Sequence, residues 1–287
     1  MYSTPVRVFI GSGEASLLER KTLIHSLRKH TRRPLDIHVF NGTHNSIEHN
    51  DQPPQLAPMS LRVKYQNFTE FSLYRWLIPQ LCNHQGRAIF LDSDTICFGD
   101  IGELFDMPMN GAAMLSIKAY DTGEWGPSVL LLDCAKCRFD LEQIMDEIEA
   151  GKYTYSDFTR LGDKYLAVHP HEIGELDKPW NSFDHHDERT KLIHYTDLMR
   201  QPWRYEGHPF GDLWYRNFQE AVDCGAVTDS DIHKATLRGY VRMDIREASQ
   251  RATQPQLRSG DRNGANANRA KRPHWWKNLP KRLLKSR

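Results

Sequence analysis

Residues 86–95 read GRAIFLDSDT, an apolar run, Ala88–Leu91, that stops on two carboxylates, Asp92 and Asp94. Strands end in turns and Asp favours turns, so the pair alone decides nothing. In an open α/β sheet, however, the ligand crevice lies outside the carboxyl ends of the strands. Carboxylate oxygens suit hard cations such as Mg²⁺ or Mn²⁺, which keep open positions for substrate phosphates. Two acids are an incomplete shell. The candidate third ligand is His194 in Ile193-His194-Tyr195-Thr196, again at the end of an apolar run, with an imidazole that suits Mn²⁺ better than Ca²⁺.

The segments around this block predict an α/β chain. Val6–Ile10 is β-rich and closes on Gly11-Ser12-Gly13, where backbone can approach a ligand closely. Ser16–His30 carries leucines at helical spacing, and Leu35–Phe40 alternates like a second strand before the Asn41-Gly42 turn. Strand, helix, strand predicts a right-handed βαβ unit on a mixed, mostly parallel sheet. Residues 43–60 are polar and Pro-rich and read as a loop. Phe68–Cys82 reads as a helix, residues 111–117 and 128–133 as buried strands, and Leu141–Ala150, Asp212–Cys224 and Asp229–Leu237 as helices.

The chain has 287 residues and a formal net charge of +1. Residues 258–287 hold ten Lys/Arg and one acid, so a tail at +9 leaves −8 to the rest. That is an acidic globule with a basic tail. We divide the chain into a folded α/β domain, 1–246, and a largely disordered tail, 247–287. The tail ends in Trp275, Trp276, Leu279, Leu283 and Leu284 among Lys and Arg, an amphipathic pattern that fits an anionic membrane surface better than nucleic acid. Five cysteines in a chain this long argue against a disulfide framework, and Cys134-x-x-Cys137 lacks a second pair, so it reads as core. MYSTPVRVFIG has no signal-peptide architecture and no run approaches a membrane span, which predicts a cytoplasmic protein, peripheral at most on the inner face of the membrane.

Taken in order, FIGSG, FSLYRWLIPQL, AIFLDSDTICFGDIGELF, SVLLLDC, WNSFD and IHYTDLMRQPW resemble the family 8 glycosyltransferases of GT-A fold, the Rossmann-like nucleotide-diphospho-sugar transferases that include glycogenin and bacterial lipooligosaccharide galactosyltransferases. The resemblance covers roughly residues 6–240. Its most specific parts are Arg75, Pro79 and Leu81 in R-x-x-x-P-x-L, the FLDSD block, and His194 before Pro202-Trp203. It implies that Asp92, Asp94 and His194 ligate Mn²⁺ or Mg²⁺ on the diphosphate of a nucleotide sugar such as a UDP-hexose, with a glycan, lipid-linked or other acceptor. Ile10, Gly11 and Ser12 would then line the nucleoside, with Ser93 between the two acids and Arg75 near the donor sugar. The family's diphosphate-binding Lys has two counterparts: Arg200 keeps the spacing from His194, whereas Gln201 precedes Pro-Trp. Trp180 and Asn181 would line the sugar and acceptor side, Asp184 would bind hydroxyls, and Asp157 is the one acid where the family shows an acid–Gln–acid group. The family retains anomeric configuration, and without a protein nucleophile we expect a front-face reaction. A weakly catalytic sugar-nucleotide-binding protein acting through its tail and a metal-dependent nucleotidyltransferase are the alternatives. The second lacks a Gly-rich, Lys-bearing phosphate loop.

Overall fold

A computed structural model describes residues 4–50, 52–118 and 123–254. Its strands are β1 (Val6–Ser12), β2 (Leu35–Asn41), β3 (Ser46–His49), β4 (Gln55–Leu56), β5 (Arg87–Asp92), β6 (Thr95–Cys97), β7 (Met114–Lys118), β8 (Trp125–Asp133), β9 (Ile173–Glu175), β10 (Ser182–Phe183) and β11 (Leu192–His194). Its helices are α1 (Leu17–His30), α2 (Leu61–Lys64), α3 (Ile78–Leu81), α4 (Ile101–Phe105), α5 (Leu141–Glu149), α6 (Tyr155–Thr159), α7 (Asp163–Val168), α8 (Gly211–Asp223), α9 (Asp229–Leu237) and α10 (Ile245–Thr253).

The large sheet has the order β4-β3-β2-β1-β5-β8-β7-β9, with β2-β1-β5 parallel at its centre. The sheet is mixed, and its parallel part is narrower than the sequence predicts, because β8 runs antiparallel to both β5 and β7. The short link between Lys118 and Trp125 explains this, since a parallel return needs a longer crossover. Successive residues of each central strand feed opposite faces. Phe9, Ala88, Phe90, Leu130 and Leu132 enter one apolar layer, whereas Val8, Ile10, Ile89, Leu91, Val129 and Leu131 enter the other. The cysteines read as core are buried free thiols.

A second, three-stranded sheet, β10-β11-β6, hangs from the carboxyl end of β5. A third apolar cluster supports it. Ile96, Ile193 and Tyr195 pack there with Trp203, Trp214 and Phe218, and with Ile232 of α9 and Ile245 of α10.

Three local expectations need correction. The polar stretch 43–60 contains the β3–β4 hairpin, which pairs onto β2 (Val39↔Glu48) and is too short and polar to show an alternation. The segment 68–82 is not one helix. Turns lead to a 3₁₀ stretch, Tyr74–Leu77, and then to α3. Ser72 Oγ accepts from Phe68 N at 3.1 Å and Asn67 Oδ1 from Leu73 N at 2.6 Å, so side chains take the backbone donors a helix would use. Residues 247–253, assigned to the disordered tail, continue as α10, whose small Ala248 and Ser249 are buried where it packs on α8. The rest of the basic tail, with Trp275 and Trp276, lies outside the described residues. Among the described residues no helix is long and apolar enough to cross a membrane.

Candidate active site

The site is built where β1 and β5 end. Gly11 pairs with Asp92, and Ser93 N donates to Gly11 O at 3.1 Å, so the first glycine of the Gly-Ser-Gly turn lies beside the acids. A Cβ on Gly11 would lie 2.4 Å from Phe71 Cδ2 and 2.9 Å from Phe90 Cζ. The close approach that this glycine permits is therefore from these rings. Ile10 points into the core and Ser12 is buried, its hydroxyl donating to Gly13 O at 3.2 Å, so Ile10 offers a ligand backbone only.

After Asp92 the chain turns through Ser93 and Asp94 into β6, with Thr95 Oγ1 donating to Asp92 O at 2.8 Å. β6 pairs antiparallel with β11, His194 opposite Thr95, and Tyr195 N donates to Asp94 O at 3.0 Å. This register carries His194 across a hundred residues of sequence to the two acids. Asp92, Asp94 and His194 each offer a ligand atom, all within 4.8 Å of one another.

The electrostatics fit a cation at that point. Asp94 Oδ1 is buried and has no hydrogen-bond donor, although His194 Nε2 lies 3.0 Å away. The two atoms face each other off the alignment of an N–H···O bond. The Nδ1 side of His194 meets Asn181 Oδ1 at 3.1 Å, and Asn181 Nδ2 donates to Ser128 Oγ at 3.0 Å, which fixes the amide orientation. A proton held on Nδ1 leaves the Nε2 lone pair for a metal. Asp92 is held above the ordinary carboxylate range, by burial first, with the Arg75 guanidinium pulling it down and Asp94 pushing it up. His194 is raised because Asp94 and Asp92 outweigh the burial that lowers it. Two acids and a histidine crowded this way are relieved by a divalent cation, and the donor set of two carboxylates and one imidazole suits Mn²⁺.

Arg75 is the structural counterweight. Its Nη2 lies 3.2 Å from Asp92 Oδ1, its Nε donates to Ser72 O at 3.0 Å, its Nη1 donates to Pro127 O, and its guanidinium lies 4.5 Å from the Phe90 ring centroid. Of the two residues before Pro-Trp, Gln201 faces the acids. Its Nε2 donates to Asp94 Oδ2 at 3.3 Å and to Tyr195 O at 3.1 Å. Arg200 is exposed and reaches Asp197 at 3.7 Å.

Other expected site residues have structural work. Trp180 is buried in the core layer with Leu176 and Leu192. Asp157 accepts from Thr154 N at 2.8 Å and Thr154 Oγ1 at 2.6 Å, closing the capping box of α6. Asp184 accepts from Thr196 Oγ1 and pairs with the buried His208 at 3.1 Å, and these contacts outweigh burial and keep its carboxyl low. Sequence reasoning missed His208, one of 14 histidines, for which no spacing signal exists.

Glu19, in the first turn of α1, is 2% exposed, and its Oε2 has no partner. Burial, above all else, pushes its carboxyl up to about 8, with Arg204 and Asp94 among the nearby charges. Between the ordinary carboxylate range and about pH 8 the folded chain holds a proton that the unfolded chain has released, so this group costs stability as pH rises. Glu19→Gln is expected to raise stability by about 3 kcal/mol at pH 8.5 and by little at pH 4, measured by melts at both values. Equal gains at the two pH values would remove burial of the charge as the cause.

The fold is the one that GT-A glycosyltransferases adopt. The model of Glycosyl transferase family 8 matches residues 15–136. Protein CDI of Arabidopsis thaliana is 23% identical over 244 residues, 75% of this chain and 87% of that one. Among solved structures, the galactosyltransferase LgtC in complex with donor and acceptor sugar analogues superposes with a TM-score of 0.56 at 12% identity, over 82% of this chain and all of that one. The bifunctional glycosyltransferase WbbM superposes with a TM-score of 0.53 at 16% identity, over 83% of this chain but about half (52%) of its own length. At these identities the structural likeness establishes the fold.

Proposed function

We propose that this transferase moves a hexose from a nucleotide sugar, a UDP-hexose, to a glycan or lipid-linked acceptor, in a divalent-metal-dependent reaction of the bacterial type that retains anomeric configuration. The observation that carries the reading is the convergence of Asp92, Asp94 and His194 with Nε2 left free by Asn181. When bound there, Mn²⁺ or Mg²⁺ supplies positive charge to a leaving diphosphate. Arg75 holds the Asp92 carboxylate, Asn181 holds the His194 ring and Gln201 holds Asp94. Arg200, exposed and only loosely paired with Asp197, is the cation we assign to the diphosphate, which it can grip bidentately.

The acceptor hydroxyl then attacks the anomeric carbon from the face the diphosphate leaves. The sugar–phosphate bond breaks, and the hydroxyl proton passes to the departing phosphate oxygen. Asp157 is committed to its helix cap, which favours this route over one through a protein nucleophile. The basic, aromatic end of the tail would meet anionic lipid on the cytoplasmic face of the membrane.

The test is incubation of a panel of nucleotide sugars with and without Mn²⁺, reading nucleotide release. Metal-dependent release of one nucleoside diphosphate is expected. Release of a nucleoside monophosphate would favour nucleotidyl transfer. Donor binding by calorimetry without turnover under any acceptor mixture would leave a binding protein.

A further inference from the structure

A second cluster of ligating side chains lies at the other end of the sheet. Asp36 and His38 are two apart on β2 and so project on one face, and His49 on β3 lies directly opposite His38 in the antiparallel register. Asp36 Oδ1 is 2.6 Å from His49 Nε2 and 3.2 Å from His38 Nε2. Asp36 and His38 are held from several sides, and His49 rests against them. The His38 and His49 rings stack at 4.2 Å with 1° between planes, and Phe9 stacks on His38 at 4.4 Å. Arg7 Nε takes the other carboxylate oxygen at 3.2 Å. The end of β3 is clamped to β2 by Asn50, whose N donates to Ile37 O at 2.6 Å and whose Oδ1 accepts from Ile37 N at 3.0 Å.

Arg7 pairs with Asp36 in the sheet register while Gly11 pairs with Phe40, so this cluster lies four rungs, about 13 Å, along the strands from the acids of the active site. The cluster is part-buried and separate from the candidate active site.

We propose that Asp36, His38 and His49 form a separate transition-metal site, with Zn²⁺ as its ion. All three ligand atoms lie within 4.8 Å of one another, and two imidazoles with one carboxylate are a donor set that Zn²⁺ takes and Mg²⁺ or Ca²⁺ does not prefer. Around a tetrahedral ion with bonds of about 2.0–2.1 Å, neighbouring ligand atoms sit about 3.4 Å apart. The His38–Asp36 separation already matches this. The His49–Asp36 separation must open by about 0.8 Å, and the His49 ring must tilt out of its parallel stack on His38 so that both ring planes meet at the ion; the His49 side chain, 51% exposed, is free to make that turn. The same exposure leaves a fourth position to water. The ion would cross-link the β3 strand to β2 and so fasten the polar edge of the sheet. Arg7 stays on the second oxygen of Asp36, outside the position of the ion.

The test counts Zn²⁺ bound at equilibrium dialysis by the full chain, its Asp94→Asn variant, and that variant combined with His49→Gln. Working in the Asp94→Asn background weakens the active-site cluster as a competing zinc site. Asp94→Asn is expected to hold about one equivalent that the double variant lacks, and to gain about 5 °C in Tm with zinc in hundredfold excess over Kd. Equal zinc in both variants, or none in Asp94→Asn alone, overturns the proposal. Co²⁺ gives a readout that needs no change at the histidines. Visible ligand-field bands are expected in Asp94→Asn, and their absence overturns the proposal as well.

Discussion

Asp94→Asn is expected to lower the rate of nucleotide release roughly a thousandfold at saturating donor and Mn²⁺. The substitution keeps the size of the side chain and an oxygen for Gln201 Nε2, now 3.3 Å from Oδ2. It removes the charge and one anionic oxygen at the point where Asp92 and His194 converge. The fold should not suffer. Asp94 raises the Asp92 carboxyl, so without metal its charge is a cost to the folded state. A Tm in EDTA at or above that of the parent, together with the lost turnover, is the expected pairing, the usual price of a charged site. Turnover within threefold of the parent would sink the assignment of Asp94 as a ligand.

Arg75→Met carries the largest expected loss of stability. Arg75 and Asp92 are 9% and 15% exposed at their side chains, and their pair is 3.2 Å apart. Breaking such a pair from one side strands the other charge, which costs about 3 kcal/mol or more, or about 6–12 °C in Tm for a domain of this size. The carbonyls of Ser72 and Pro127 lose their donor as well. The pH dependence has a definite sign. Burial already lifts Asp92 above its unfolded value, and losing Arg75 lifts it further. The deficit therefore grows as pH rises above the ordinary carboxylate range, and shrinks as pH falls and Asp92 is protonated in both states. Melts in EDTA at pH 4.5 and 7.5 read this directly. The same deficit at both pH values would show that packing against Phe90, not the charge on Asp92, is what Arg75 supplies.

The parts of the site that the sequence showed share one property. Asp92, Asp94 and His194 each stand at the end of an apolar run, so strand patterning alone places them at the carboxyl ends of strands. What joins the runs, the β6–β11 register, is a long-range pairing that no local pattern encodes. Which of Arg200 and Gln201 faces the acids is hidden for a related reason: adjacent residues of an irregular loop point in directions fixed by its turns. Asn181, which the resemblance makes a sugar contact, has its amide held between His194 and Ser128. Asp157, expected to be catalytic, sits in Thr154-x-x-Asp157, which is also a helix-start signal, and its carboxylate closes that capping box. The 68–82 segment has helical periodicity but loses its helix to Asn67 and Ser72.

The cluster under β6 and β11 has a consequence for timing. The acids at 92–94 leave the ribosome about a hundred residues before His194, and the helices that buttress β11 follow later still, ending with α10. A nascent chain that has completed β6 carries two of the three candidate ligands and lacks His194. Under the proposed function, competence to bind an ion is thereby tied to near-completion of synthesis of the described domain, and a chain cut short before α8 is expected to be inert rather than unregulated.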